Sequence, residues 1–106
     1  MNLGIVIYSD DSETVWNAFR FGTFALSEND EVKVFLIGKG VMVESLDMDM
    51  FKVTEQLQRF VNSGGKIFAC GTCLEVHQLE APETFKVSKL GDLYEIVKES
   101  DRIVTF

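Results

Sequence analysis

The sequence is poor in cysteine, histidine and proline, with two, one and one in 106 residues. So few cysteines, both in one motif, do not make the disulfide framework of a small secreted domain. Structural zinc takes four ligands, and a single histidine beside two cysteines leaves that shell one short within the chain. Nowhere is there an apolar run of about 18 residues, so no membrane span is expected. Basic residues are also in short supply. Ten Lys and Arg face seventeen Asp and Glu, for a net charge of −7 and an isoelectric point near 4.6. The ten are scattered, whereas binding a phosphate backbone needs them clustered. Neither nucleic acid nor membrane is an expected partner, and the acidity reads as solubility. The opening Met1-Asn2-Leu3-Gly4 runs straight into an apolar segment, with no basic region or small-residue cleavage site. No signal peptide is expected, and the expected address is cytoplasmic.

What is present is a 46% hydrophobic chain, enough for one domain with its own core over residues 1–106. A chain this small gains stability by associating with further copies. Leu3–Tyr8 is a continuous apolar run, which predicts a strand covered on both faces. Ser9, Asp10, Asp11 and Ser12 offer a cap for a helix over Thr14–Ser27, with Val15, Phe19, Gly22 and Leu26 on its inward stripe. Glu31–Ile37 reads as a second strand, broken by Gly38-Lys39-Gly40. A short helix over Val41–Leu46 and a loop of alternating Asp and Met follow. A helix over Met50–Asn62 has Met50, Val53, Leu57, Phe60 and Val61 inward, with Glu55 and Arg59 an outward i,i+4 pair. Ser63-Gly64-Gly65 stops it. Lys66–Ala69 is a third strand, Leu74–Leu79 a short helix and Phe85–Val87 a short strand. Leu90–Glu99 is a helix with Leu90, Leu93 and Val97 inward, and Ile103–Phe106 is the last strand. Strands alternating with helices predict an α/β fold in three layers, helices on both faces of a mainly parallel five-stranded sheet.

Ligands of such sheets bind outside the carboxyl ends of the strands. Cys70-Gly71-Thr72-Cys73 lies at such an end. Ser9-Asp10 and Gly38-Lys39-Gly40 are its candidate neighbours. Three readings of the motif stay open. Both sulfurs can be small buried hydrophobes. They can form a dithiol redox site, in which the thiol nearer the helix start is lowered in pKa. Or Cys70, Cys73 and His77, spaced C-x2-C-x3-H, can contribute to a metal site that still lacks a fourth ligand. No tightly bound zinc is expected. On the first helix, Phe24 falls nearly opposite the inward stripe and Phe21 well off it, which fits an oligomer contact.

Ala69-Cys70-Gly71-Thr72-Cys73-Leu74, following a buried strand, resembles the central motif of the DsrE/DsrF-like (DsrE/F/H-type) proteins of sulfur relay. The likeness extends through Asp11–Phe21, Val32–Val41, Leu90–Val97 and Asp101–Val104, in the family's order and spacing. Where many members carry an Arg-Gly pair after the motif, this chain has His77-Gln78. The resemblance implies a small α/β domain that assembles into homo- or hetero-oligomers, trimers or hexamers among them. It implies Cys70 as a sulfur acceptor that becomes a persulfide, and Cys73 as a resolving or supporting thiol. The partners implied are sulfur-donor and sulfur-acceptor proteins, and no cofactor is implied. The expected role is that of a sulfur carrier or sulfurtransferase. The alternative is a non-catalytic oligomeric binding module with structural cysteines. Cys70 is expected to be partly accessible, and Cys73 to lie near a helix N-terminus.

Overall fold

The computed structural model describes residues 1–106. The three most apolar strand segments lie in the middle of the sheet, as β1 (Asn2–Ile7), β2 (Glu31–Leu36) and β3 (Lys66–Cys70). The shorter β4 (Phe85–Ser88) and β5 (Arg102–Thr105) form the edges, in the order β4-β3-β2-β1-β5. Every pairing is parallel. A parallel sheet is covered on both faces, which is why its inner strands read as unbroken apolar runs. The register aligns Val104, Ile5, Val34, Ile67 and Phe85 in one row across all five strands. All of these except Val104, on the edge, are buried.

Four helices alternate with the strands: α1 (Ser12–Ser27), α2 (Val53–Asn62), α3 (Gly71–Val76) and α4 (Leu90–Glu99). Asp11 caps α1, its carboxylate accepting from both the backbone N–H and the hydroxyl of Thr14 at 2.9 Å. Val15, Phe19 and Gly22 are buried along this helix as the spacing predicts, joined by Ala18 and Ala25. The rings of Phe19 and Phe60 lie 5.8 Å apart and tie α1 to α2. Lys52, at the start of α2, offers no capping side chain. Asp47 replaces it, accepting from the Thr54 N–H at 2.8 Å and from the Thr54 hydroxyl. These donors hold the Asp47 carboxyl below the usual carboxylate range. The Asp/Met loop is thus a helix cap. The expected outward pair forms, with Arg59 and Glu55 3.1 Å apart.

Three expectations shift. Helix α2 starts at Val53, so Met50 precedes it and is exposed rather than part of the core stripe. Helix α3 starts at Gly71, three residues before Leu74, because Cys70 acts as its cap and draws the motif into the first turn. Helix α4 has the expected bounds but is turned about its axis. Ile96 is buried, Leu93 half-buried, and Leu90 and Val97 are exposed. Gly4 on β1 leaves room beneath the helix, where a Cβ would come 2.6 Å from Ile103, 2.8 Å from Ser100 and 3.2 Å from Ile96. Ile96 shares the space of the missing side chain with those two residues.

The order of the strands decides which helix covers which face. From β1 through β4 the chain steps in one direction, and right-handed crossovers then put α1, α2 and α3 on one face. From β4 it returns past three strands to pair β5 with β1, so α4 goes to the other face. The packing agrees: α1 lies against α2, and Ile96 of α4 against Gly4 of β1. No helix is long and apolar enough to cross a membrane.

Between β2 and α2 runs a 3₁₀ segment, Gly38–Ser45, where the sequence suggests a turn and then a short helix. It is fastened to the end of β1. The Ile37 N–H donates to the Ile7 carbonyl at 3.0 Å, and a Cβ on Gly40 would lie 2.0 Å from that same oxygen. The obstacle is backbone and cannot rotate away. Gly40→Ala is therefore expected to lower stability by about 3 kcal/mol or more, at the upper end of overpacking costs. A urea midpoint equal to that of the wild type would show that the segment is not held there.

Candidate functional site

Two neighbouring strands send their chains to opposite faces. From β3 the chain enters α3 on the α1–α2 face, and from β4 it enters α4 on the other. In an open parallel sheet, this divergence leaves a crevice beyond the strand ends. A cleft of about 710 Å³ opens there, lined by Cys70, Cys73, Val87, Ser88, Lys89 and Leu90 among others. Cys70 and Ser88 pair directly in the β3–β4 register. Ser88 is buried, its hydroxyl donating to the Lys86 carbonyl at 2.8 Å.

Cys70 ends β3 in an extended conformation and Cys73 lies in the first turn of α3, which brings both sulfurs to one spot. Both are free thiols. The Sγ atoms are 2.8 Å apart, with Cys73 donating to Cys70. The Cys73 backbone N–H also donates to Cys70 Sγ, at 3.4 Å. Gly38, at the start of the 3₁₀ segment, donates its N–H to Cys73 Sγ at 3.2 Å. The bonds therefore run one way, from Gly38 through Cys73 to Cys70, and two donors converge on the Cys70 sulfur. A sulfur reached by two donors at the end of a strand is the candidate nucleophile of the site.

Exposure is divided differently from the sequence expectation. Cys70 is only 5% exposed, at the cleft floor, and Cys73 is half-buried. The dithiol reading also expects a lowered thiol at the helix start. Cys73 is instead pushed up, first by burial and then by donating to Cys70, against a smaller downward pull from the Gly38 N–H. A helix of six residues does not offset that burial.

Of the neighbours suggested by sequence, only the glycine turn reaches the sulfurs, through Gly38. Ser9 accepts from the Asp11 N–H at 2.9 Å, and neither Ser9 nor Asp10 lines the cleft. They end β1, two strands from β3, and each strand step is about 4.8 Å. His77 follows α3, its N–H donating to the Cys73 carbonyl at 3.1 Å. It does not join the sulfurs as a third ligand, since no three His, Cys, Asp or Glu side chains gather to hold a metal ion. Sequence reasoning missed Ser88, Lys89 and Leu90. The signal was a strand end running directly into a helix start, but its bearing on Cys70 depends on the strand order.

The raised Cys73 thiol yields a test. Alkylation proceeds through the thiolate, so site-resolved labelling of Cys73 should rise at higher pH than that of a free cysteine. The native state holds this proton more tightly than the unfolded chain. Stability should therefore fall as pH climbs from the ordinary cysteine pKa through the raised one. Labelling of Cys73 at lower pH than free cysteine would contradict the assigned burial.

Comparison with known proteins gives one consistent picture. The profile of the DsrE/DsrF-like family matches residues 1–106. The chain is similar to the uncharacterized protein MJ0989 of Methanocaldococcus jannaschii, 34% identical over 100 residues that cover 89% of this chain and 88% of the relative. It is also similar to the uncharacterized protein MK0008 of Methanopyrus kandleri, at 33% over 100 residues, covering 89% and 83%. Among solved structures, the ychN protein from E. coli superposes with a TM-score of 0.84 at 16% identity, covering 100% of both chains. A conserved protein of unknown function from Bacteroides thetaiotaomicron, BT1422, superposes at 0.81 with 22% identity, covering 99% of this chain and 94% of that one. At such identities the structures speak for the fold alone. The profile spans the whole chain: the chain belongs to the DsrE/DsrF-like family.

Proposed function

We propose that this protein is a small sulfur carrier in which Cys70 takes sulfane sulfur from a donor persulfide and passes it to an acceptor. One observation carries the reading. Cys70 Sγ is at the floor of the crevice between diverging strands, with two hydrogen-bond donors aimed at it. The Cys70 thiolate attacks the outer sulfur of a donor R–S–SH. The Cys70–S–SH bond forms, the donor S–S bond breaks, and the donor leaves as R–S⁻. Cys73 supports the acceptor sulfur through its N–H and thiol. The donor and acceptor fitting this chemistry are persulfide-bearing and thiol-bearing proteins. The competing reading, a binding module with structural cysteines, draws on the depth of Cys70. Incubation with inorganic polysulfide followed by peptide mass spectrometry separates the two. After brief exposure, one added sulfur is expected on the peptide that carries Cys70, and none on a Cys70→Ser variant. A wild type that at no time gains a sulfur and releases no sulfide, with a Cys70→Ser variant that merely loses stability, would leave the structural reading standing.

We also propose that the protein is a homo-oligomer, a trimer or hexamer before a dimer. Phe24 is 63% exposed, and Phe21, on the same outer side of α1, is exposed as well. Burying one such ring contributes roughly 1.5–3 kcal/mol, repeated in each symmetric copy, while salt screens the repulsion of the acidic chains. Light scattering should find the wild type oligomeric at micromolar concentration and Phe24→Glu shifted toward smaller species. A monomeric wild type overturns the assembly. An unchanged Phe24→Glu oligomer removes Phe24 from the contact.

A further inference from the structure

We infer that Cys73 discharges the persulfide inside the chain, so that the protein releases sulfide and is left with a Cys70–Cys73 disulfide. The inference rests on Cys70 being the sulfur acceptor, as proposed above. Its own ground is the geometry of the second sulfur. Cys73 Sγ stands 2.8 Å from Cys70 Sγ, and a disulfide bond is about 2.05 Å long. Less than about 1 Å of approach separates the pair from that bond. A sulfur held so close to the inner atom of a persulfide is a better-placed attacker than any thiol arriving from solution.

The step balances within the site. Cys73–SH and Cys70–S–S⁻ give Cys70–S–S–Cys73 and HS⁻. The bond from Cys70 Sγ to the outer sulfur breaks, and that sulfur departs with the bonding pair and the proton from Cys73. It is reduced by two electrons, and the two cysteine sulfurs are oxidised by two, so closure needs no further oxidant. The Gly38 N–H, 3.2 Å from Cys73 Sγ, faces the attacking sulfur as its proton leaves. The cleft of about 710 Å³ gives the small anion an exit. Resetting the site takes an external thiol reductant, either a dithiol or two monothiols. Upstream, the chemistry calls for a reaction that produces sulfane sulfur, and downstream for one that consumes sulfide.

The test uses the full-length reduced protein, loaded briefly with inorganic polysulfide, desalted and followed by intact mass and sulfide trapping. Wild type is expected to gain one sulfur and then lose it, releasing one equivalent of sulfide as the chain becomes two hydrogens lighter. Cys73→Ser, with Cys73→Ala as a second variant, should keep the added sulfur on Cys70 at least about tenfold longer and release no sulfide. Wild type holding its sulfur as long as the variants overturns the inference while leaving the carrier reading intact. Sulfur recovered on Cys73 also overturns it, because attack would then have fallen on the outer atom. No sulfur uptake by wild type or either variant overturns the carrier reading, and the inference with it.

Discussion

The return of the chain from β4 to the far side of β1 is the constraint on which the site depends. Up to β4, each strand is added beside the last and each crossover lands on the same face. One reversal sends α4 to the other face, and the two strands on either side of that change part company at their carboxyl ends. Had the last strand been added beside β4, the crossover after β4 would have joined the others. The ends of β3 and β4 would then sit under one helical layer, with no crevice over Cys70. The shape of the pocket is therefore a property of connectivity, and the cysteines add chemistry to a place that topology has already opened.

Inside that place, polarity is supplied by the backbone. Two of the three hydrogen bonds to the sulfurs come from peptide N–H groups, those of Gly38 and Cys73. Peptide donors cannot swing out to solvent as a lysine does, and a buried sulfur gains from donors that cost no side-chain ordering when it becomes charged. The charged residues at the rim, Glu75 and Lys89, are exposed, and neither hydrogen-bonds to a thiol.

Much of this was legible in the sequence, for identifiable reasons. The inner strands read as unbroken apolar runs because parallel sheets bury both faces, and α2 ended where Ser63-Gly64-Gly65 stops it. The bounds of α4 were legible from its pattern, but its rotation was not. Leu90, Leu93 and Val97 form a plausible inward stripe, but Ile96 is the residue that reaches the gap at Gly4 on a distant strand, beside Ile103 and Ser100. The start of α3 was hidden because a cysteine is an unusual cap, so Gly71 and Thr72 read as a turn. The Cys70–Cys73 spacing was visible at once. Of its neighbours, the Gly38 turn followed from its place at a strand end, while Ser88 to Leu90 depended on knowing that β4 lies beside β3.

Both edges of the sheet are four residues long. Each carries a cation, Lys86 on β4 and Arg102 on β5, and both are exposed. Short, charged edges give a stray strand little to pair with. Edges of this kind disfavour the extension of one copy's sheet by another. The apolar inner strands are thus flanked by eight edge residues that present the sheet's only open margins.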